Sequence, residues 1–280
     1  MSNLITVDEL SARLGDPTFR LVDTRFSLQD PRQGRKAYEE GHIPGAVYFD
    51  LDEDLSRPQP PGTPGGRHPL PDMGAFAKTL GERGIGNEHH VVVYDDSGGM
   101  FAARFWWMLR YAGHDRVQVL DGGFSAWLEA GQAVSKALSS YPATRFELEL
   151  RPEMVVDQGV VKANLDNPDV LLIDARASDR YRGDNETLDR KAGHIPGALN
   201  RPFMENLDRG RFKDPAVLAE RFQEAAEAEE VIVYCGSGVT AAHDLLALEE
   251  AGFKGARLYV GSWSDWTSDD ANPIASGDEP

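Results

Sequence analysis

Val231-Ile232-Val233-Tyr234-Cys235-Gly236-Ser237-Gly238-Val239-Thr240-Ala241-Ala242-His243-Asp244-Leu245-Leu246 is the stretch that decides how this chain is read. Four β-favouring residues run into the only cysteine of the chain, two glycines free the backbone, and a helix-period pattern begins at about Val239. The reading is strand, loop, helix. At such a junction the N–H groups of the first helical turn point back at the loop and carry roughly half a positive charge. Thiolate is the reactive form of cysteine, and a helix N-terminus lowers a thiol pKa to about 3.5–7.5. Free cysteines are more often inert packing residues. The flanking glycines and the strand-to-helix position favour a nucleophile here.

Outward from this stretch, composition sets bounds. A chain of 280 residues with 41% hydrophobic content suits one large or two medium domains, each with its own core. One cysteine forms no intramolecular disulfide, so a reducing, cytoplasmic setting is expected. The first residues lack a basic and apolar leader pattern, and no apolar run is long enough to cross a bilayer, so neither export nor a membrane partner is expected. Formal charge is 29 minus 46, or −17, which opposes nucleic acid and anionic membranes as partners. It also repels anionic substrates at long range, so a site for one needs local cations. A single cysteine with scattered histidines gives no zinc spacing. There is no phosphate-loop signature, and Gly236-Ser237-Gly238 lacks the Gly-x-Ser-x-Gly spacing of a hydrolase elbow.

The second half repeats the first in order. Leu171-Leu172-Ile173-Asp174-Ala175-Arg176 echoes Leu21-Val22-Asp23-Thr24-Arg25, and the hexapeptide Gly-His-Ile-Pro-Gly-Ala occurs at 41–46 and again at 193–198. Val231 to Tyr234 echoes Val91 to Tyr94, and Gly261 to Trp266 echoes Gly122 to Trp127. A period this long is a duplicated domain rather than a solenoid. Each copy alternates short apolar strands with helices, which predicts an α/β fold with a parallel sheet covered on both faces. Residues 1–137 are expected to form a non-catalytic domain, 138–152 a linker and 153–280 the catalytic domain. The repeat is also an internal control, because Asp95 falls opposite Cys235 and only the second copy holds a nucleophile. His42 and His194 of the hexapeptides are kept in both copies, so a turn-stabilising role is expected for them rather than acid–base work. The same reasoning makes Asp23 and Asp174 structural.

These features resemble the tandem-domain rhodaneses, sulfurtransferases with an inactive N-terminal copy and a catalytic C-terminal one. The resemblance rests on the two hexapeptides, on Asp-Gly-Gly-Phe-Ser-Ala-Trp at 121–127 and on Cys235-Gly236-Ser237-Gly238-Val239-Thr240, and it spans nearly the whole chain. It implies two rhodanese-like domains and a Cys235 persulfide cradled by the main chain of Gly236, Gly238, Val239 and Thr240. The loop is similar to that of the 3-mercaptopyruvate branch, whereas thiosulfate-preferring members carry basic residues directly after the cysteine. In this branch a carboxylate-binding arginine falls at Arg180, in Asp174-Ala175-Arg176-Ala177-Ser178-Asp179-Arg180-Tyr181. A second family arginine is matched to Arg190, whose other reading is a solvated surface charge. The branch also carries a serine-centred relay, matched to Ser237, to His68 before Pro69-Leu70-Pro71 and to Asp52, whose other reading is an exposed acid in an acidic run.

The resemblance implies a small anionic sulfur donor, a thiol, cyanide or thioredoxin-like acceptor, and no metal or organic cofactor. Three alternatives stay open: the same chemistry with thiosulfate as main donor, a non-enzymatic persulfide carrier, and a related cysteine phosphatase. The last needs an arginine six positions after the cysteine, where this chain has Ala241.

Overall fold

The structure is a computed structural model that describes residues 2–60 and 62–280. Its contacts divide the chain into two compact units: the first comprises residues up to Arg57 together with Leu70–Arg151, and the second comprises Pro58–Pro69 together with Pro152–Pro280.

The first unit runs β1 (Leu4–Ile5), α1 (Val7–Ser11), β2 (Phe19–Asp23), α2 (Arg32–Glu40), β3 (Ala46–Tyr48), α3 (Met73–Glu82), β4 (His90–Tyr94), α4 (Met100–Tyr111), β5 (Val117–Leu120) and α5 (Gly123–Glu129). Thr6 opens α1 with a full capping box, its hydroxyl accepting from Glu9 N–H while the Glu9 carboxylate accepts from Thr6 N–H. The helix ends at Ser11, where the N–H groups of Arg13 and Leu14 bond three residues back and tighten the last turn. Asp72 caps α3, accepting from Ala75 N–H at 2.7 Å. The sheet is parallel with strand order β1-β5-β4-β2-β3. Val91, Val92, Val93 and Tyr94 of β4 are fully buried, as a strand covered on both faces must be.

The second unit repeats this topology. It runs β6 (Val155–Val156), α6 (Gln158–Ala163), β7 (Val170–Asp174), α7 (Ser178–Arg182), β8 (Leu199–Asn200), the hairpin β9 (Leu207–Asp208) and β10 (Arg211–Phe212), α8 (Pro215–Arg221), β11 (Glu230–Tyr234), α9 (Thr240–Glu250), β12 (Arg257–Tyr259) and α10 (Ser262–Trp266). Its main sheet is again parallel, in the order β6-β12-β11-β7-β8. In each sheet the strand order reverses between the two central strands, the crevice where ligands sit in open α/β folds. Cys235 follows β11 at that point.

The units differ from the expected boundaries in two places. Residues 138–151 do not hang free but line the first unit: Tyr141 Oη donates to Gly45 O, and the N–H groups of Thr144, Glu149 and Arg151 donate to the carbonyls of Gly81, Ala112 and Tyr111. Pro58–Pro69, inside the first sequence repeat, belongs to the second unit.

Each unit buries a carboxylate close to its central strand, and the two are satisfied differently. In the first unit Asp95 ends β4, and its buried carboxylate accepts from Ser97 N–H (2.8 Å) and Gly99 N–H (2.9 Å) on Oδ1 and from Phe101 N–H (2.8 Å) and Ala102 N–H (3.0 Å) on Oδ2. Burial pushes the Asp95 carboxyl up and these four donors oppose it. With two N–H groups on each oxygen, the ionised carboxylate is the form that fits. In the second unit Asp244 lies one turn into α9, fully buried, its Oδ1 accepting from Asn206 Nδ2 at 2.6 Å and its Oδ2 without a partner. Burial pushes this carboxyl up to about 8, opposed by the Asn206 bond and by the charges of Arg221 and Arg201, while Asp174 adds to the rise.

Two stability predictions follow from these acids. Replacing Asp95 by Ala strands four buried donors and is expected to lower the unfolding free energy in a urea titration by about 3 kcal/mol or more, with Asp95→Asn in between. Asp244 stays protonated in the fold up to about pH 8 but ionises near 3.8 when unfolded. Its contribution to stability is therefore full below the lower value and is lost as pH rises through the upper one. Asp244→Asn is expected to flatten the fall in thermal midpoint between about pH 5 and pH 8 and to raise the midpoint at the alkaline end.

Candidate active site

The site is assembled from the Cys235 loop outward. Cys235 is 2% exposed. Its N–H donates to Ser262 Oγ (3.1 Å), its carbonyl accepts from Trp263 N–H (2.9 Å), and its Sγ accepts from Gly238 N–H (3.1 Å). Gly238 takes φ 77°, a left-handed conformation that glycine adopts without strain and that turns its N–H toward the sulfur. Val239 caps α9 and Thr240 is its first residue, so the expected cradle residues lie on one loop and the turn that follows it. The start of α10 straps the loop from behind: Ser264 N–H donates to Gly236 O at 3.0 Å, and Ser262 Oγ donates to Tyr259 O at 2.8 Å.

Ser262 carries no motif of its own in the sequence. It holds φ 54° at the place where the first unit has Gly123 with φ 57°. A non-glycine residue in this region stores strain, which its two hydroxyl hydrogen bonds offset. Aligning the two Gly-x-(Phe/Trp)-Ser segments is the signal that finds it.

The segment 58–69 brings the next groups. Gly65 N–H donates to Asp265 Oδ1 at 2.6 Å, Arg67 N–H donates to Ser264 Oγ at 3.0 Å, and Asp265 is held from the far side by Tyr259 Oη at 2.6 Å. This docking sets His68 Nδ1 2.7 Å from Ser237 Oγ, both groups being buried. Ser237 and His68 are therefore brought together. Asp52 lies in the first unit, on the turn after β3, where its N–H donates to Asp50 Oδ1 at 2.9 Å.

Cations converge on the same loop. A Cβ at Gly236 would stand 2.9 Å from Arg67 Nη2 and 3.4 Å from both terminal nitrogens of Arg180, so glycine is what leaves room for the two guanidinium groups. Arg180, on α7, is ion-paired with the buried Glu186 at 2.9 Å and with Asp189 at 3.0 Å. Arg67 pairs with the other oxygen of Asp189. Glu186 also reaches Arg176, 3.4 Å away, which is itself locked on Asp174 at 2.6 Å. Arg190 is half exposed and its guanidinium pairs with Asp270 at 3.2 Å. The second arginine beside Gly236 is thus Arg67, missed in the sequence because the fork it belongs to closes over a separation of 122 residues. Its one signal was adjacency to His68.

The repeated groups are structural, in the way their duplication suggested. His42 and His194 are fully buried, each with Nδ1 on a tyrosine carbonyl (Tyr38 O at 2.7 Å, Tyr181 O at 2.9 Å) and each stacked on that tyrosine's ring. Asp23 and Asp174 lock Arg25 and Arg176 in matching forks. Among the described residues no group of three His, Cys, Asp or Glu side chains could hold a metal, and no helix is long and apolar enough to cross a membrane.

This arrangement offers a thiol that accepts from a main-chain N–H, a serine of the same loop paired with a histidine, and two guanidinium groups at the cysteine's neighbour. The rhodanese-like domain model matches residues 6–130 and again 157–269. The chain is 45% identical over 282 residues to a probable 3-mercaptopyruvate sulfurtransferase of Pseudomonas aeruginosa, covering 99% of both chains. It is 37% identical to a thiosulfate sulfurtransferase of Mus musculus, over 91% of this chain and 87% of that one. The crystal structure of SseA from Escherichia coli, whose subject is 3-mercaptopyruvate sulfotransferases, superposes with a TM-score of 0.82 at 33% identity, over 94% of this chain and 99% of that one. With both halves matched and full-length relatives well above 30% identity, the chain belongs to the rhodanese family.

Proposed function

We propose that this protein moves sulfur from 3-mercaptopyruvate, through a persulfide on Cys235, to a thiol or cyanide acceptor, releasing pyruvate. The carrying observation is the Gly238 N–H aimed at Cys235 Sγ in a loop whose counterpart in the first unit wraps a carboxylate with four N–H groups. A loop of this build favours negative charge at its centre.

Cys235 thiolate attacks the donor sulfur and an S–S bond forms. The C–S bond breaks and its electron pair goes to carbon, giving the enolate of pyruvate. Protonation at that carbon completes pyruvate, and the Ser237–His68 pair, 2.7 Å apart, is positioned to pass the proton. An acceptor thiolate then attacks the outer sulfur, the S–S bond breaks, and Cys235 returns as thiolate. The donor carboxylate falls to Arg180, whose planar fork suits it.

Thiosulfate is the second reading of the donor, favoured by the cations at Gly236 and by the name of the mouse relative. The two donors differ in what leaves. Sulfite needs no proton on carbon, whereas the pyruvate enolate does.

Incubation with 3-mercaptopyruvate is expected to add the mass of one sulfur to the intact protein, and none to Cys235→Ser. Steady-state efficiency is expected to be higher with 3-mercaptopyruvate than with thiosulfate, and a clear thiosulfate preference would overturn the choice of donor. Ser237→Ala and His68→Asn are expected to slow turnover of 3-mercaptopyruvate by roughly 10²-fold. The same variants should leave thiosulfate turnover much less affected, and equal losses with both donors would remove the proton-transfer role.

A further inference from the structure

Arg67 reaches the catalytic loop from an unexpected direction. It sits on the segment 58–69, fixed by Gly65 N–H on Asp265, by its own N–H on Ser264 Oγ, and by the contact between its neighbour His68 and Ser237. Its guanidinium uses Nη1 on Asp189 Oδ1, which leaves Nη2 at Gly236, the residue bonded to the nucleophile. Asp189 takes Arg180 Nη2 on its other oxygen at 3.0 Å, and Arg180 also spends Nε and Nη2 on Glu186. Asp189 is buried, with 2% of its side chain exposed, and so works as a two-sided clamp that sets two guanidinium groups side by side. What the clamp leaves over, Arg67 Nη2 and Arg180 Nη1, faces the same corner beside the loop.

The geometry points to Arg67 as the second donor-binding guanidinium of this site, aimed by Asp189, in the role that Arg190 does not fill. This rests on the reading above that the donor is an anion received next to Cys235. Two leftover N–H corners, one from each arginine, match the two oxygens of a carboxylate better than one fork already shared with Glu186 and Asp189 does. A chain with net charge −17 also needs such local cations to admit an anion. Arg67 contacts the donor, while Asp189 is a positioning residue.

The test separates donor binding from the later chemistry. For Arg67→Ala, Asp189→Asn and Arg190→Ala, the KM and kcat for 3-mercaptopyruvate are measured, together with the single-turnover discharge of preloaded Cys235 persulfide to cyanide. Arg67→Ala is expected to raise KM by roughly 10- to 100-fold, the effect of losing a charge-assisted contact. Its kcat should stay within a few fold and its discharge rate should equal that of the wild type. Asp189→Asn should shift KM in the same direction by less, and Arg190→Ala should match the wild type. Arg67→Gln, which keeps the stem without the charge, replaces Arg67→Ala if that variant does not fold. A KM within twofold of wild type overturns the assignment, and so does a slowed discharge, which would make Arg67 a support for the loop rather than a donor ligand. If the wild type is not loaded by 3-mercaptopyruvate at all, the donor reading fails separately, and the same comparison run with thiosulfate still decides the role of Arg67.

Discussion

Main-chain N–H groups that converge on one point must find an acceptor there, and the rest of this molecule is arranged around that constraint. The strand-loop-helix at the carboxyl end of each central strand turns N–H donors inward, because the helix that follows starts with donors no helical carbonyl can reach. In the first unit Asp95 answers them permanently, with a carboxylate tethered by its own Cβ and wrapped by four N–H groups. In the second unit the atom at the equivalent place is a sulfur that accepts from Gly238 and keeps a valence open for chemistry. The copy without a nucleophile keeps its loop because an internal anion stands where the other copy holds its reactive one. An apolar residue at Asp95 would leave the donors unpaired, which explains why the copy without a nucleophile holds an acid there and not an apolar side chain.

The second constraint is that the cysteine loop must be braced from outside. Ser262 and Ser264 hold it from behind through main-chain hydrogen bonds to Cys235 and Gly236, and Asp265 and Ser264 hold the segment that carries Arg67 and His68. One short helix start therefore positions both the nucleophile and the groups that face it. A displacement of α10 would move Cys235, His68 and Arg67 together, so their relative geometry is protected by having a common support.

Much of this was legible in the sequence, for local reasons. Strand periods, the Thr6–Glu9 capping box, the Asp72 cap and the cysteine loop depend on residues close in the chain, and the repeat supplied a second reading of the strands. The duplication also sorted structural from reactive groups: His42 and His194, or Asp23 and Asp174, are bound alike in both units, which no catalytic role would require. What the sequence could not show was the path of long loops. Nothing local in Pro58–Pro69 says that it leaves the first unit, because the hydrogen bonds that take it to the second span about two hundred residues. Arg190 had the right neighbourhood in sequence but the wrong one in space, where Asp270 holds it. Arg67 had the reverse.

The charges around the loop balance one another. Arg67, Arg176 and Arg180 face Asp174, Glu186 and Asp189, three cations against three anions, and the side chains of the three acids are almost wholly buried. Guanidinium groups set close together in a partly dry site would repel one another without those acids, and buried carboxylates need such hydrogen-bonded partners in turn. Each carboxylate takes some of the N–H donors of its arginines and leaves the rest directed toward the loop. The cluster is thus neutral as a whole and polar at one corner. It can receive an anion by completing hydrogen bonds already aimed, with little rearrangement of the arginines, which is how a chain of strongly negative overall charge can still present a site for a negative ligand.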